Sequence, residues 1–105
     1  MNKDFIVSGH TVKFDVNYND FQTFLDETRD PVYRIILSAF EDLKKDEKVK
    51  VNVLADIEGN QFKSELEYTK SNLDILTDVI NPYFERVEDY ETCAKIMKLH
   101  SELIS

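Results

Sequence analysis

The chain has 105 residues, 42% of them hydrophobic, with 13 basic and 21 acidic side chains and a formal charge of −8 at pH 7. A chain of this length fits one domain that buries roughly 65% of its unfolded surface, and its hydrophobic fraction excludes a disordered tail. The excess of acid excludes direct binding to a phosphate backbone, because that affinity comes from Lys and Arg displacing counterions.

No apolar run approaches the ~20 residues of a membrane span, and the opening residues, MNKDFIV, lack the long apolar segment of a secretory signal. The lone Cys93 has no partner for an internal disulfide, in keeping with a reducing compartment. The expected location is therefore the cytoplasm, with neither membrane nor nucleic acid as a partner. Acid is concentrated in residues 51–105, which carry 11 acidic and 5 basic side chains against 10 and 8 in residues 1–50.

In chain order, Phe5 to Val16 reads as a short hairpin turning at Gly9-His10. Pairing Ser8 with Thr11 sets Val7 against Val12 and Phe5 against Phe14 on one face, and Asp4 against Asp15 at the open end. Asn17 to Thr28 reads as a helix capped by Asn19 or Asp20, with Phe21, Phe24, Leu25 and Thr28 on one face. Asp30-Pro31 is expected to stop it and start a second helix, since Pro suits the first helical position. Val32, Ile35, Ile36, Ala39, Phe40 and Leu43 form the apolar stripe of that second helix.

From Val49 to Tyr68 the pattern is that of a longer hairpin. Val49, Val51, Val53, Ala55 and Ile57 alternate with Lys50, Asn52, Leu54, Asp56 and Glu58, and a Gly-first loop at Gly59-Asn60 fits a type II′ turn. That turn pairs Ile57 with Phe62, Ala55 with Ser64 and Asp56 with Lys63. Ser71 and Asp74 resemble a capping box for a helix faced by Leu73, Leu76, Val79 and Ile80. Asn81-Pro82 repeats the stop-and-start pattern, and a break near Glu88 and Asp89 separates a last helix on which Tyr90, Cys93, Ile96, Met97, His100, Leu103 and Ile104 share a face. Offsetting the chain by about 50 residues superposes Gly9 on Gly59, Lys13 on Lys63 and Tyr18 on Tyr68. The expected fold is a single α+β domain, 1–105. Two β-hairpins form one antiparallel sheet on four or five helices, in the order ββαα-ββαα(α), with half-repeats 1–47 and 48–105.

The motifs of chemistry are missing from this pattern. Two His and one Cys occur without metal-ligand spacing, and no glycine loop suits a phosphate. Cys93 and His100 stand seven residues apart on one helix, about 10 Å along its axis, too far for a nucleophile and its base. Asp56, Glu58, Glu65 and Glu67 read as a solvated hairpin face. No enzyme, metal or cofactor is expected.

Surface is what remains. Tyr83, Glu85, Glu88, Asp89, Tyr90 and Glu91 mix carboxylates with tyrosines, and Glu65 and Glu67 extend the acidic set on the hairpin. Tyr supplies contact area at low entropic cost, and carboxylates meet Arg or Lys on a partner. In size and charge, though on no particular residues, the chain is similar to small acidic anti-CRISPR and immunity proteins. That similarity implies an inhibitor that occupies the basic surface of a nucleic-acid-handling protein. The alternative is a structural or regulatory homo-oligomer using the apolar face of the last helix, with Met97 and Leu103 in the contact. The expected state is a monomer or homodimer.

Overall fold

Alternating apolar and polar residues resolve into four strands in the computed structural model, which describes residues 5–104. The order is β1 (Phe5–Ser8), β2 (Thr11–Tyr18), α1 (Phe21–Glu41), β3 (Lys48–Ile57), β4 (Asn60–Thr69), α2 (Asn81–Arg86) and α3 (Tyr90–Ile104). The strands form one sheet in the order β1-β2-β3-β4. The chain divides into two compact units, one of Met1–Ala39 and Lys50–Glu67, the other of Phe40–Val49 and Tyr68–Ser105.

In the first unit, β1 and β2 pair antiparallel with Phe5 opposite Phe14, Val7 opposite Val12 and Ser8 opposite Thr11, the register that the sequence implies. Gly9 carries the positive φ, 59°, that a Gly-first loop requires. The proposed Asp4–Asp15 pair lies outside the described residues. The hairpins share one sheet, but it is mixed rather than antiparallel, because β2 and β3 run parallel with Val12 opposite Val53 and Tyr18 opposite Ile57. Two extra residues of β2 are taken up between Lys13 and Asn17, where the register shifts.

The cause of the parallel pairing is α1. Instead of two helices meeting at Asp30-Pro31, one helix of 21 residues runs through Pro31. Its length, ~32 Å at 1.5 Å per residue, matches the ~27 Å of the eight-residue β2, so the chain is returned to the end from which β2 started. Asp20 caps the helix by accepting from the Thr23 N–H at 2.7 Å, and this bond holds its carboxyl below the usual pKa. Pro31 leaves the Glu27 carbonyl without its helical donor, and Glu27 is exposed, so water can serve it. Arg34 forks onto both carboxylate oxygens of Asp30, at 2.7 and 3.4 Å, and so spans the proline by an i, i+4 pair. An exposed pair of this kind contributes ~0.3–0.5 kcal/mol.

An aromatic cluster fixes α1 on the sheet. Phe24, 3% exposed, has its ring centroid 5.9 Å from Phe14, 5.3 Å from Tyr18 and 5.4 Å from Phe62, and Val12, Val51, Val53, Ala55 and Ile57 complete the buried strand face. Edge and tilted ring contacts at these distances each add about 0.5–1.5 kcal/mol beyond area burial.

The second hairpin turns one residue earlier than its sequence suggests. Glu58 and Gly59 form the loop with φ of 54° and 78°, both left-handed, as a type I′ turn demands. Two ten-residue strands joined by a two-residue loop are antiparallel, with Ile57 and Asn60 as the closing pair. Relative to the expected register the pairing moves by two residues, so Asp56 comes opposite Gln61, and no ion pair joins it to Lys63 among the described residues. The side-chain period is two, so both faces keep their residues: Val49, Val51, Val53, Ala55 and Ile57 are all buried.

The second unit is built on Phe40, Leu43, Val49, Tyr68, Leu76, Ile80, Phe84, Ile96, Leu99 and Leu103, all buried. Thr69 and Asn72, rather than Ser71 and Asp74, form its first cap, with the Thr69 N–H donating to Asn72 Oδ1 at 2.8 Å. Asn81-Pro82 does not stop a helix either. A π-turn, Leu76–Ile80, runs directly into α2, and the widened turn admits the proline that a regular turn would reject. The described residues thus hold three α-helices, not four or five, and the first half supplies one where the ββαα scheme needs two. Lys44 Nζ, 2.8 Å from Glu102 Oε1 and 3.2 Å from Glu41 Oε1, joins the turn after α1 to α3.

The uninterrupted α1 makes a direct prediction. Pro31→Ala restores a helical hydrogen bond and removes a ring clash, so it should raise unfolding stability by about 1–3 kcal/mol in urea titration. A proline at the start of a separate helix would give a change near zero. For Asp20 the sign follows from its depressed pKa: the cap's ionic contribution is complete above the ordinary carboxylate range and is lost as pH falls through the lowered value. Stability measured from neutral to acid pH should therefore fall less steeply in Asp20→Asn, which keeps the capping oxygen without the titration.

Candidate protein-binding surface

Six of the eight residues expected to bind a partner gather at the turn from α2 to α3, within the second unit. The turn is a Schellman motif. The Asp89 N–H donates to Phe84 O at 2.9 Å and the Glu88 N–H to Glu85 O at 3.0 Å, with Glu88 left-handed at φ 61° where glycine is usual. Asp89 then caps α3, as its sequence position implies. Its Oδ1 accepts from the Thr92 N–H at 3.2 Å, its Oδ2 from the Thr92 hydroxyl at 2.8 Å, and its backbone carbonyl from the Cys93 N–H at 3.1 Å. With both oxygens so engaged, Asp89 holds the corner in shape.

The corner's outer surface is formed by its neighbours. Glu85, Glu88 and Glu91 are exposed and make no ion pair among the described residues. Val87 is 49% and Tyr90 64% exposed. Tyr83 is half-buried, its ring edge-on to Phe84 at 4.9 Å. Glu65 and Glu67, both exposed, stand on β4 in the first unit.

Near the corner, Cys93 is half-buried. Burial pushes its thiol pKa up, and the carboxylates of Glu85 and Asp89 add to the shift; its Sγ donates toward the Asn81 carbonyl oxygen at 3.9 Å. Asn81 Oδ1, in turn, is a buried acceptor with no partner among the described residues. Among those residues, too, no three of His, Cys, Asp and Glu converge as metal ligands would. On the last helix, Ile96 and Leu103 are buried within the second unit, whereas Met97 and Ile104 are exposed.

One feature escaped the sequence. In the first unit a groove of about 340 Å³ opens between α1 and β4, walled by Phe21, Leu25 and Val32 on the helix and Phe62, Ser64 and Leu66 on the strand. Two of its polar neighbours are committed elsewhere, since the Thr28 hydroxyl donates to Phe24 O at 2.7 Å and Arg29 pairs with Asp26 at 3.3 Å. The available signal was the helical spacing of Phe21 and Leu25, which places them at the margin of the stripe that Phe24 and Thr28 bury.

No protein-family model, curated protein or solved structure matches the chain. None of the described helices is long and apolar enough to cross a membrane.

The corner geometry can be tested by stability alone. Glu88→Gly relieves a left-handed non-glycine residue and should stabilise by about 1 kcal/mol, whereas Asp89→Ala removes the α3 cap and should destabilise by about 1 kcal/mol. Urea midpoints moving in opposite directions for these adjacent residues would verify the motif.

Proposed function

We propose that this chain is a non-enzymatic protein-binding module whose acidic α2–α3 corner engages a basic surface on a partner protein, in the manner of an inhibitor or neutraliser. The observation that carries the reading is the set of exposed carboxylates of Glu85, Glu88 and Glu91, without ion pairs among the described residues, around the exposed Val87 and Tyr90. Apolar contact at the centre and charge at the rim is the usual anatomy of an interface. The Schellman turn and the Asp89 cap fix this surface before any partner arrives, so little ordering entropy opposes binding. A partner that handles nucleic acid would present the complementary Arg and Lys. The net charge of −8 would steer the encounter over a screening length of about 8 Å at physiological salt.

The test uses the full chain as bait in a lysate of its source, with Glu85, Glu88 and Glu91 all changed to Lys in a parallel bait. The proposal expects a basic protein captured by the native chain, released on raising salt from about 0.05 M to about 0.5 M, and lost from the triple variant. Association of the recovered partner should slow at least about tenfold with the reversed charges. Equal capture by both baits, or capture indifferent to salt, would sink the proposal.

A further inference from the structure

We infer that β4 is a self-association edge, pairing antiparallel with β4 of a second copy about a twofold axis at Ser64. β4 ends the sheet and spans ten residues without proline or glycine. Long edges are commonly blunted by proline, a bulge, an inward-pointing charge or unmatched edge charges, Lys above all. β4 has no proline, and Phe62, Ser64 and Leu66, on the face that lines the groove with α1, carry no charge. Its charges, Lys63, Glu65 and Glu67, alternate with them, and each residue from Asn60 to Glu67 retains solvent exposure. β1, at the opposite edge, offers only four residues.

The turn decides which backbone groups face outward. With Ile57 and Asn60 closing a two-residue loop, Asn60, Phe62, Ser64 and Leu66 direct their N–H and C=O groups to β3. Gln61, Lys63 and Glu65 therefore direct theirs to the free edge. A second β4 can bond only by pairing odd-numbered residues with odd, which leaves registers that differ by steps of two.

Charge chooses among them. Centring the axis on Ser64 sets Lys63 against the partner's Glu65 and Glu65 against the partner's Lys63 on one face. On the other it sets Phe62 against the partner's Leu66, and the reverse, with the two Ser64 side chains meeting at the axis. A twofold repeats every contact, so both faces are matched twice. Moving the axis by one residue places Lys63 on the partner's Lys63 side by side with a shortened overlap, or Glu65 directly on the partner's Glu65. Of these three registers, the Ser64 one alone sets no like charges opposite each other, and moving the axis further, to Phe62, leaves Lys63 and Glu65 without a charged partner and shortens the overlap. The apolar row that would be extended, Phe62 and Leu66, is the strand wall of the 340 Å³ groove and is half-exposed in the single chain. A second copy is thus the occupant that the pattern of β4 fits.

Sedimentation equilibrium of the full chain across micromolar concentrations, with circular dichroism to confirm folding, tests this. The native chain should dimerise; Lys63→Glu and Glu65→Lys should each weaken the dimer at least about tenfold, and the double swap should restore it. A second readout does not depend on charge. At a non-hydrogen-bonded pair the two Cα atoms at the axis lie about 4.5 Å apart, within disulfide reach. In a Cys93→Ser background, Ser64→Cys should therefore form a disulfide dimer on mild oxidation far faster than Ser38→Cys, a control on the exposed face of α1. A native chain that stays monomeric, a dimer indifferent to the charge swaps, or equal cross-linking at the two positions would overturn the inference.

Discussion

The constraint on which the architecture rests is the continuity of α1 through Pro31. A helix broken at Asp30 would send the chain back in two short segments, and nothing would oblige β3 to begin beside the start of β2. A continuous helix as long as the strand it covers returns the chain by that full length, and parallel pairing of β2 with β3 follows. The mixed sheet is thus a consequence of one tolerated proline. That tolerance is local, because the carbonyl it leaves without a helical donor belongs to the exposed Glu27, and Asp30 and Arg34 close an ion pair across the gap.

Pro31 also shows why sequence reading reached the burial pattern but not the topology. Phe24, Thr28, Val32, Ile35, Ile36, Ala39, Phe40 and Leu43 hold one helical phase from end to end, and a break with a fresh start would in general rotate the second half of the stripe. Phase continuity carried the signal, whereas the proline, a strong punctuator on average, pointed the other way. The same contest occurs at Glu58 and Gly59. A Gly-first loop is the better match to residue preference, yet the chain accepts a left-handed Glu58. The exchange moves the pairing by two residues, a full side-chain period, so the buried face is unchanged while the cross-strand partners are not.

The acidic corner was more legible than the groove for a physical reason. Caps and charge runs are written in contiguous residues, so Asp89 as an N-cap and the exposed carboxylates beside it can be read directly. The groove is made by residues more than thirty positions apart, Phe21 and Leu25 against Phe62 and Leu66, and exists only because α1 leaves part of the β4 face uncovered. Sequence placed Phe21, Phe24, Leu25 and Thr28 together on one helix face. Only Phe24 and Thr28 are buried, since a helix lying on a sheet covers a narrower stripe than its full apolar arc.

Charge acts differently at the two surfaces, and the difference bears on how one small chain could use both. At the corner, the proposed contact sets exposed carboxylates against a basic partner, so added salt would weaken the encounter. At β4 the two copies each carry −8, and their long-range repulsion opposes the encounter while the Lys63–Glu65 pairs act only on contact. Added salt screens the repulsion first, because it acts over greater distances than a cross-strand pair. If both proposals hold, self-pairing would be favoured where ionic strength is high and capture of a basic partner where it is low. A basic partner bound at the corner would itself neutralise part of the net charge, so binding there lowers the repulsion that β4 pairing must overcome. Such a coupling would be positive and would need no change of shape, only the sum of charges on each copy.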